Sequence, residues 1–357
     1  MTHSKNTTLP IALICCFSAN ILCSQVVEEK IKTNKERIAD VSAKQRRISE
    51  ETLRLTSPQS LRENLIWSTG FEEKQFQFIY GGKLDENSGP EWARAKRQDK
   101  DDSIIFSSSF ARSGQSSLKL TWRRELLGES NDSKKAMVIF GKPSFTEGLE
   151  RWYGFSILLP SSFYTDNDPY NALIFQVHAT PDHHLNEQWR SPPIGLSLRN
   201  GKLKFGYTYD TEKISQKNFN LNQNRKSFEI GDLSSLLDKW TDFVVHAKFS
   251  VNNKGLIELW VDGQLIVSDS NINLGYKDDY GPYPGWGIYS YNSTNPERSI
   301  YLDEVRIGNN SSSYTQVAPG RNDNTQQKPQ FDSSANHLPT ANADPLTPKR
   351  SEQKPYP

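Results

Sequence analysis

The stretch FQVHATPDHH at 175–184 gathers Gln176, His178, Asp182, His183 and His184, including three of the six histidines in the chain. Histidine ionises near pH 6.5 in the unperturbed state, about the pKa a neutral base needs at pH 7. A second stretch, GPYPGWGIYSYN at 281–292, brings Trp286, Tyr289 and Tyr291. A phenol with a reference pKa of about 10 stays protonated and donates. Gly281, Gly285 and Gly287 in that stretch allow the backbone to bend or to approach a ligand closely. A third stretch, TWRRELLGE at 121–129, holds Arg123 and Arg124, and a guanidinium forks well onto a carboxylate. Groups that can accept a proton, donate one or hold an anion could form a catalytic site, a metal site or a polar surface beside a strand. A zinc site fits poorly, because the histidine window lacks a pair of ligands on one face with a third nearby.

Each group has a plainer reading. Gln176 and His178 can be solvent-facing strand positions, and His183 and His184 a solvated loop after the Pro181-Asp182 turn. The aromatics of 281–292 can be core or sugar-stacking residues. Arg123 and Arg124 point to opposite faces of a strand, and a surface ion pair with Glu125 or Glu129 accounts for either.

The elements that position these residues read as strands. In ALIFQVH, alternation puts Ala172, Ile174, Gln176 and His178 on one face and Leu173, Phe175 and Val177 on the other. SLKLTWR, AMVIFG, RWYGFSILLP, IGLSLRNGKLKFGYTY, TDFVVHAKFS, GLIELWVDGQLIV and SIYLDEVRIG have the same character, with turn signals at Asn200-Gly201 and Asp262-Gly263. GDLSSLLDKW offers a turn or two of helix. Many strands without interleaved helices predict an all-β domain over residues 61–309, a sandwich or jelly roll.

The flanks differ. Residues 1–25 read as a signal peptide: Lys5 precedes LPIALICCFSANIL, an apolar run too short to span a bilayer comfortably. Cleavage near Ser24 or Gln25 is expected, with an uncleaved anchor as the alternative. All three cysteines (Cys15, Cys16 and Cys23) fall in this segment, which leaves the mature chain without disulfides. Residues 26–60 are charged, with Val27, Ile31, Ile38, Val41 and Ile48 at helical spacing, and read as a solvated helical spacer. From 310 to 357 Ser, Asn, Gln, Pro and Thr dominate, the composition of a disordered tail. With 43 basic and 42 acidic residues, the formal charge is +1, which argues against a general nucleic-acid partner. A monomer without stable membrane insertion after signal cleavage is expected, secreted to the periplasm or beyond the cell.

The core resembles the polysaccharide lyases of β-jelly-roll fold, of the heparin lyase I and glucuronan lyase type. The resemblance rests on an ordered set of phrases over residues 65–309. They are STGFEE (68–73), SGQSSLKLTWRRE (113–125), RWYGFSILLP (151–160), FQVHATPD (175–182), PPIGLSLRNGKLKFG (192–206), DKWTDFVVHAKFSVNNKGLIELWVDGQLI (238–266), GWGIY (285–289) and YLDEVRIGN (301–309). It implies a jelly-roll β-sandwich of concanavalin-like form and β-elimination next to a uronic acid, and hence an anionic polysaccharide as partner. On the resembling Q-x-H-x-x-P-D and G-I-Y stretches, His178 is the candidate base, Gln176 the neighbour of the substrate carboxylate and Tyr289 the acid. Arg124 is preferred to Arg123 on the R-x-E character of its stretch, with Arg123, His183, Tyr291 and Trp286 as candidate substrate contacts. The heparin lyases tend to carry lysine where this chain has Gly285, which weighs against a heavily sulfated substrate. No cofactor is required; Glu72 and Asp303 are the candidates for a structural calcium site. A non-catalytic lectin-like sandwich is the main alternative. A hydrolase is disfavoured, because the E-x-D-x-x-E signature of sandwich hydrolases is missing.

Overall fold

The computed structural model describes residues 39–48, 63–72, 94–97, 101–129, 133–141, 145–163, 168–215 and 224–320. The expected signal peptide and most of the tail lie outside these residues. One antiparallel sheet is built from β1 (Leu65–Thr69), β3 (Ile104–Ser107), β4 (Ser117–Arg123), β6 (Glu150–Leu158), β11 (Trp240–Lys248), β12 (Ser250–Val261), β13 (Gln264–Leu274) and β15 (Glu297–Gly308). Its order is β13-β12-β11-β6-β15-β4-β3, with β1 also on β15. The second holds β2 (Arg94–Arg97), β5 (Lys135–Ile139), β7 (Ala172–His178), β8 (Ile194–Arg199), β9 (Lys202–Thr208), β10 (Arg225–Asp232) and β14 (Tyr283–Ser290), in the order β10-β9-β8-β7-β14-β5-β2.

The sheets pack face to face, as the jelly-roll expectation requires. Phe155 of the first sheet lies 4.7 Å from Phe175 of the second, and Phe175 lies 5.7 Å from Trp286 (ring centroids). Both sequence-marked hairpins form as two-residue turns. Asn200 and Gly201 link β8 to β9, and Asp262 and Gly263 link β12 to β13, all four at positive φ. GDLSSLLDKW yields only the 3-10 turn Leu233–Ser235.

The described parts of the flanks pack on the sandwich. Of the expected helical spacer 26–60, residues 39–48 form helix α1 on the outer face of the first sheet, and 26–38 and 49–60 lie outside the described residues. Val41 and Ile48 pack toward Val244, Trp260 and Leu265, and the Gln45 amide donates to the Gly263 carbonyl at 2.9 Å. The physical reason is that β11 and β12 carry apolar side chains on both faces, and the outward set needs a cover. Residues 310–320, read as the start of the tail, are also packed: helix α2 (Tyr314–Val317) buries Val317 against the same outer face. Gly154 of β6 makes this possible, because a Cβ there would stand 1.8 Å from the Val317 carbonyl oxygen.

Candidate active site

The outer face of the second sheet carries the polar row. Gln176 and His178 share that face as expected, but the rest of the predicted alternation fails. Pairing of β7 with β8 slips between Leu173 and Phe175, so Ala172 and Ile174 join Phe175 and Val177 in the core. A bulge reverses strand parity, which sends Leu173 outward to stand over Gly195, 2.9 Å from where a Cβ would be.

Gln176 is only 2% exposed. Across from it stand Gly195 of β8 and Gly285 of β14. Leu173 leans over the first glycine and Ile139 and Met137 over the second, closing the sides of the site. The Gln176 amide nitrogen meets the Met137 sulfur at 3.7 Å, a weak acceptor, and its Oε1 has no partner among the described residues. A buried amide with so little of its capacity used is poised for a polar ligand.

His178 sits across from Tyr283, and the two rings stack at 5.6 Å. Its Nδ1 lies 2.8 Å from the Ala179 carbonyl oxygen. A carbonyl only accepts, so the proton resides on Nδ1 and the lone pair on Nε2, as a base requires. His183, whose Nδ1 donates to the Glu187 carbonyl at 3.1 Å, reaches the group through Trp189: its ring is 5.2 Å from the indole, and that of His178 is 5.5 Å.

Tyr289 faces the same side, paired with Leu173 of β7 and Lys135 of β5. Gly287, at φ 134°, leaves no room for a Cβ, which would stand 2.2 Å from the Ala136 carbonyl oxygen. The Tyr289 and Tyr291 hydroxyls lie 2.7 Å apart. Burial first, then Tyr291 and the more distant Tyr283, push the Tyr289 phenol well above its ordinary pKa. A phenol so placed remains a proton donor across the neutral range. Lys135 stands 5.4 Å from the Tyr289 ring and Lys134 4.4 Å from that of Tyr291, a cationic edge to the row.

Each end of the row rests on a buried arginine. Below the loop after His178, Arg190 pairs with Glu187 and Asp278 and lies over the Tyr276 ring. Asp182 there takes Lys213 Nζ at 2.6 Å and the Asp279 amide at 3.0 Å. Below the Tyr291 loop, Arg298 pairs with Asp168, which also accepts from Ser293 Oγ at 2.6 Å.

Other expected site residues lie elsewhere. Trp286 is a core residue, 1% exposed, which corrects its reading as a substrate contact: it is on the opposite side of β14 from Tyr289. Arg123 belongs to the other sheet and is engaged by Glu297 at 2.8 Å and Asp102 at 2.9 Å. Arg124 follows β4 and donates to the Ser293 and Thr294 carbonyls at 3.2 and 3.3 Å, clasping the loop beyond Tyr291. Glu72 and Asp303 both lie beside Gly70, and both hold backbone amides. Glu72 takes those of Gln115 and Ser116, and Asp303 those of Arg112, Ser113 and Glu304. Both carboxylates thus act as acceptors for local backbone amides.

Sequence reasoning missed Tyr283, Lys135 and Trp189. Tyr283 and Lys135 become visible only through cross-strand register. Trp189 carried a signal, an aromatic five residues beyond His184, but nothing in the local pattern marked it as exposed.

The family described as "Polysaccharide lyase" matches residues 82–306. Among solved structures, an endo-β-1,4-glucuronan lyase from the fungus Trichoderma reesei is similar, with a TM-score of 0.50 and 18% identity over 68% of this chain and 98% of that one. An alginate lyase is more distant, with a TM-score of 0.38 and 16% identity over 54% of this chain and 74% of that one. The first likeness is one of fold. A search of curated proteins gives no match.

Proposed function

The chain belongs to the polysaccharide lyase family, and from that premise we propose that it cleaves a uronic-acid polysaccharide by β-elimination on the outer face of the second sheet. The observation that carries this reading is the placement of Gln176, His178 and Tyr289 on one face of two paired strands.

The chemistry assigns the roles. His178 Nε2 takes the proton from C5, alpha to the C6 carboxylate, and the electron pair left behind forms the C4–C5 double bond as the C4–O4 bond breaks. The departing oxygen is protonated by Tyr289, whose raised pKa keeps it a donor. C5 is acidic only if the carboxylate charge is offset, and the Gln176 side-chain N–H, spent only on the weakly accepting Met137 sulfur, is the donor placed to do so. Tyr283, stacked on His178, is the second candidate acid. As proposed, the reaction runs on these side chains without a cofactor. We infer export from the apolar segment at residues 10–23, which lies outside the described residues. Among the described residues, no helix is long and apolar enough to cross a membrane.

The test is a lyase assay on purified residues 26–357 with glucuronan, alginate, heparin, heparan sulfate, chondroitin and hyaluronan, following the ultraviolet absorbance of the new conjugated double bond. Activity abolished by His178→Ala and by Tyr289→Phe supports the assignment. Loss with Tyr283→Phe but not with Tyr289→Phe moves the acid to Tyr283. Activity that survives His178→Ala overturns the site.

A further inference from the structure

We propose that Trp189 is a stacking platform for a pyranose ring of the substrate chain, next to the ring that His178 deprotonates; the proposal rests on the reading of His178 as the base. The indole is 61% exposed, whereas Trp67, Trp122, Trp260 and Trp286 are buried. A lone exposed aromatic is ordinary on a protein surface, so the argument is one of placement. Trp189 meets the rings of His178 and His183 edge-on, with interplanar angles of 72° and 69°. Tyr283 stacks on the His178 ring in turn, which makes the indole part of a continuous aromatic group around the base.

The mount is rigid. Glu187 and Arg190, on either side of the indole in sequence, are 2% and 8% exposed and pair with each other. Glu187 also takes the amides of Asp182 at 2.9 Å and Ser215 at 2.8 Å, and Arg190 pairs with Asp278. Buried charges at the base of the loop fix the backbone that displays Trp189. An aromatic held in place by its surroundings loses little freedom on binding. The C–H face of a pyranose is apolar and matches an indole, while the carboxylate and hydroxyls stay in water. Such a contact is made equally in the ground and transition states, so it governs KM more than kcat.

The experiment uses the mature chain and whichever polysaccharide in the panel is turned over. Trp189→Ala is expected to raise KM about tenfold with kcat within about twofold, and Trp189→Phe to recover most of the loss. Urea midpoints should match wild type, because the side chain is exposed. In a His178→Ala background, uronic tetrasaccharides prepared from glucuronan and from alginate should quench tryptophan fluorescence, and His178→Ala/Trp189→Phe should abolish the quench. An unchanged KM in Trp189→Ala, or a quench that survives Trp189→Phe, overturns the platform. The two readings fail separately. Turnover surviving His178→Ala with KM still raised by Trp189→Ala sinks the base and keeps the platform; turnover lost in His178→Ala with Trp189→Ala silent does the reverse.

Discussion

Replacing His246 with glutamine should destabilise the protein at pH 6 and matter far less at pH 9.5. His246 lies on β11, 7% exposed, with Nδ1 2.8 Å from Glu258 and Nε2 2.9 Å from Glu150. Its ring stacks on Trp152 at 3.7 Å, and Lys44 of α1 pairs with Glu258 from above. Burial alone lowers the imidazole pKa, but the two carboxylates outweigh it and hold the value above 6.5. The contribution of the ion pairs is therefore complete below pH 6.5 and is lost as pH rises through the raised folded value. Removing one partner of a buried pair costs about 3–5 kcal/mol. Lys44 still serves Glu258, and Lys248 lies 3.8 Å from Glu150, so the lower end, about 3 kcal/mol, is expected at pH 6. As pH rises through the raised folded value the wild-type imidazole loses its charge, so at pH 9.5 the gap should be smaller and tend toward about 1 kcal/mol, the worth of ordinary hydrogen bonds. Urea unfolding followed by tryptophan fluorescence at both pH values measures it. Asp278 and Asp303, pushed up by burial to about 7, also make the wild type less stable as pH rises, but they cancel in the difference. A gap of the same size at pH 6 and pH 9.5 would refute the reasoning.

Arg190→Met leaves Glu187 and Asp278 buried without their cation, and should cost about 3–5 kcal/mol in urea unfolding. If it costs under about 1 kcal/mol, the ionic base of the Trp189 loop is unimportant. Gly154→Ala drives a methyl into the Val317 carbonyl and should cost about 1–3 kcal/mol, with hydrogen exchange at 314–318 speeding up first. Exchange unchanged there would place the strain elsewhere. Because backbone amides occupy Glu72 and Asp303, millimolar calcium or a chelator should leave the melting temperature unchanged; a calcium-dependent rise abolished by Glu72→Gln would show a metal site there.

How far the site could be read from sequence differs residue by residue. Gln176 and His178 share a face because they are two apart on one strand, a relation a local pattern carries. Ile174 was assigned to that face as well and instead points into the core, because the bulge after Leu173 costs one residue of parity and has no marker in the local pattern. Trp286 and Tyr289 were grouped by proximity in one motif, yet one fills the core and the other faces outward. Val41 and Ile48 had the right spacing for a helix, but spacing does not say what that helix covers.

By itself, the sequence determined that segments such as SLKLTWR, RWYGFSILLP, ALIFQVH and SIYLDEVRIG are strands, where Asn200-Gly201 and Asp262-Gly263 reverse the chain, and which residue types can move protons. These are properties of short windows, set by alternation of side chains and by the few residues that tolerate positive φ. Tertiary structure decided that Tyr283 stacks on His178, that Lys135 borders Tyr289, that Arg190 is buried against Glu187 and Asp278, and that α1 packs on the outer face of the first sheet. Those contacts join strands and loops distant in sequence, and their register follows from how two sheets bury one shared core, a constraint no single window contains.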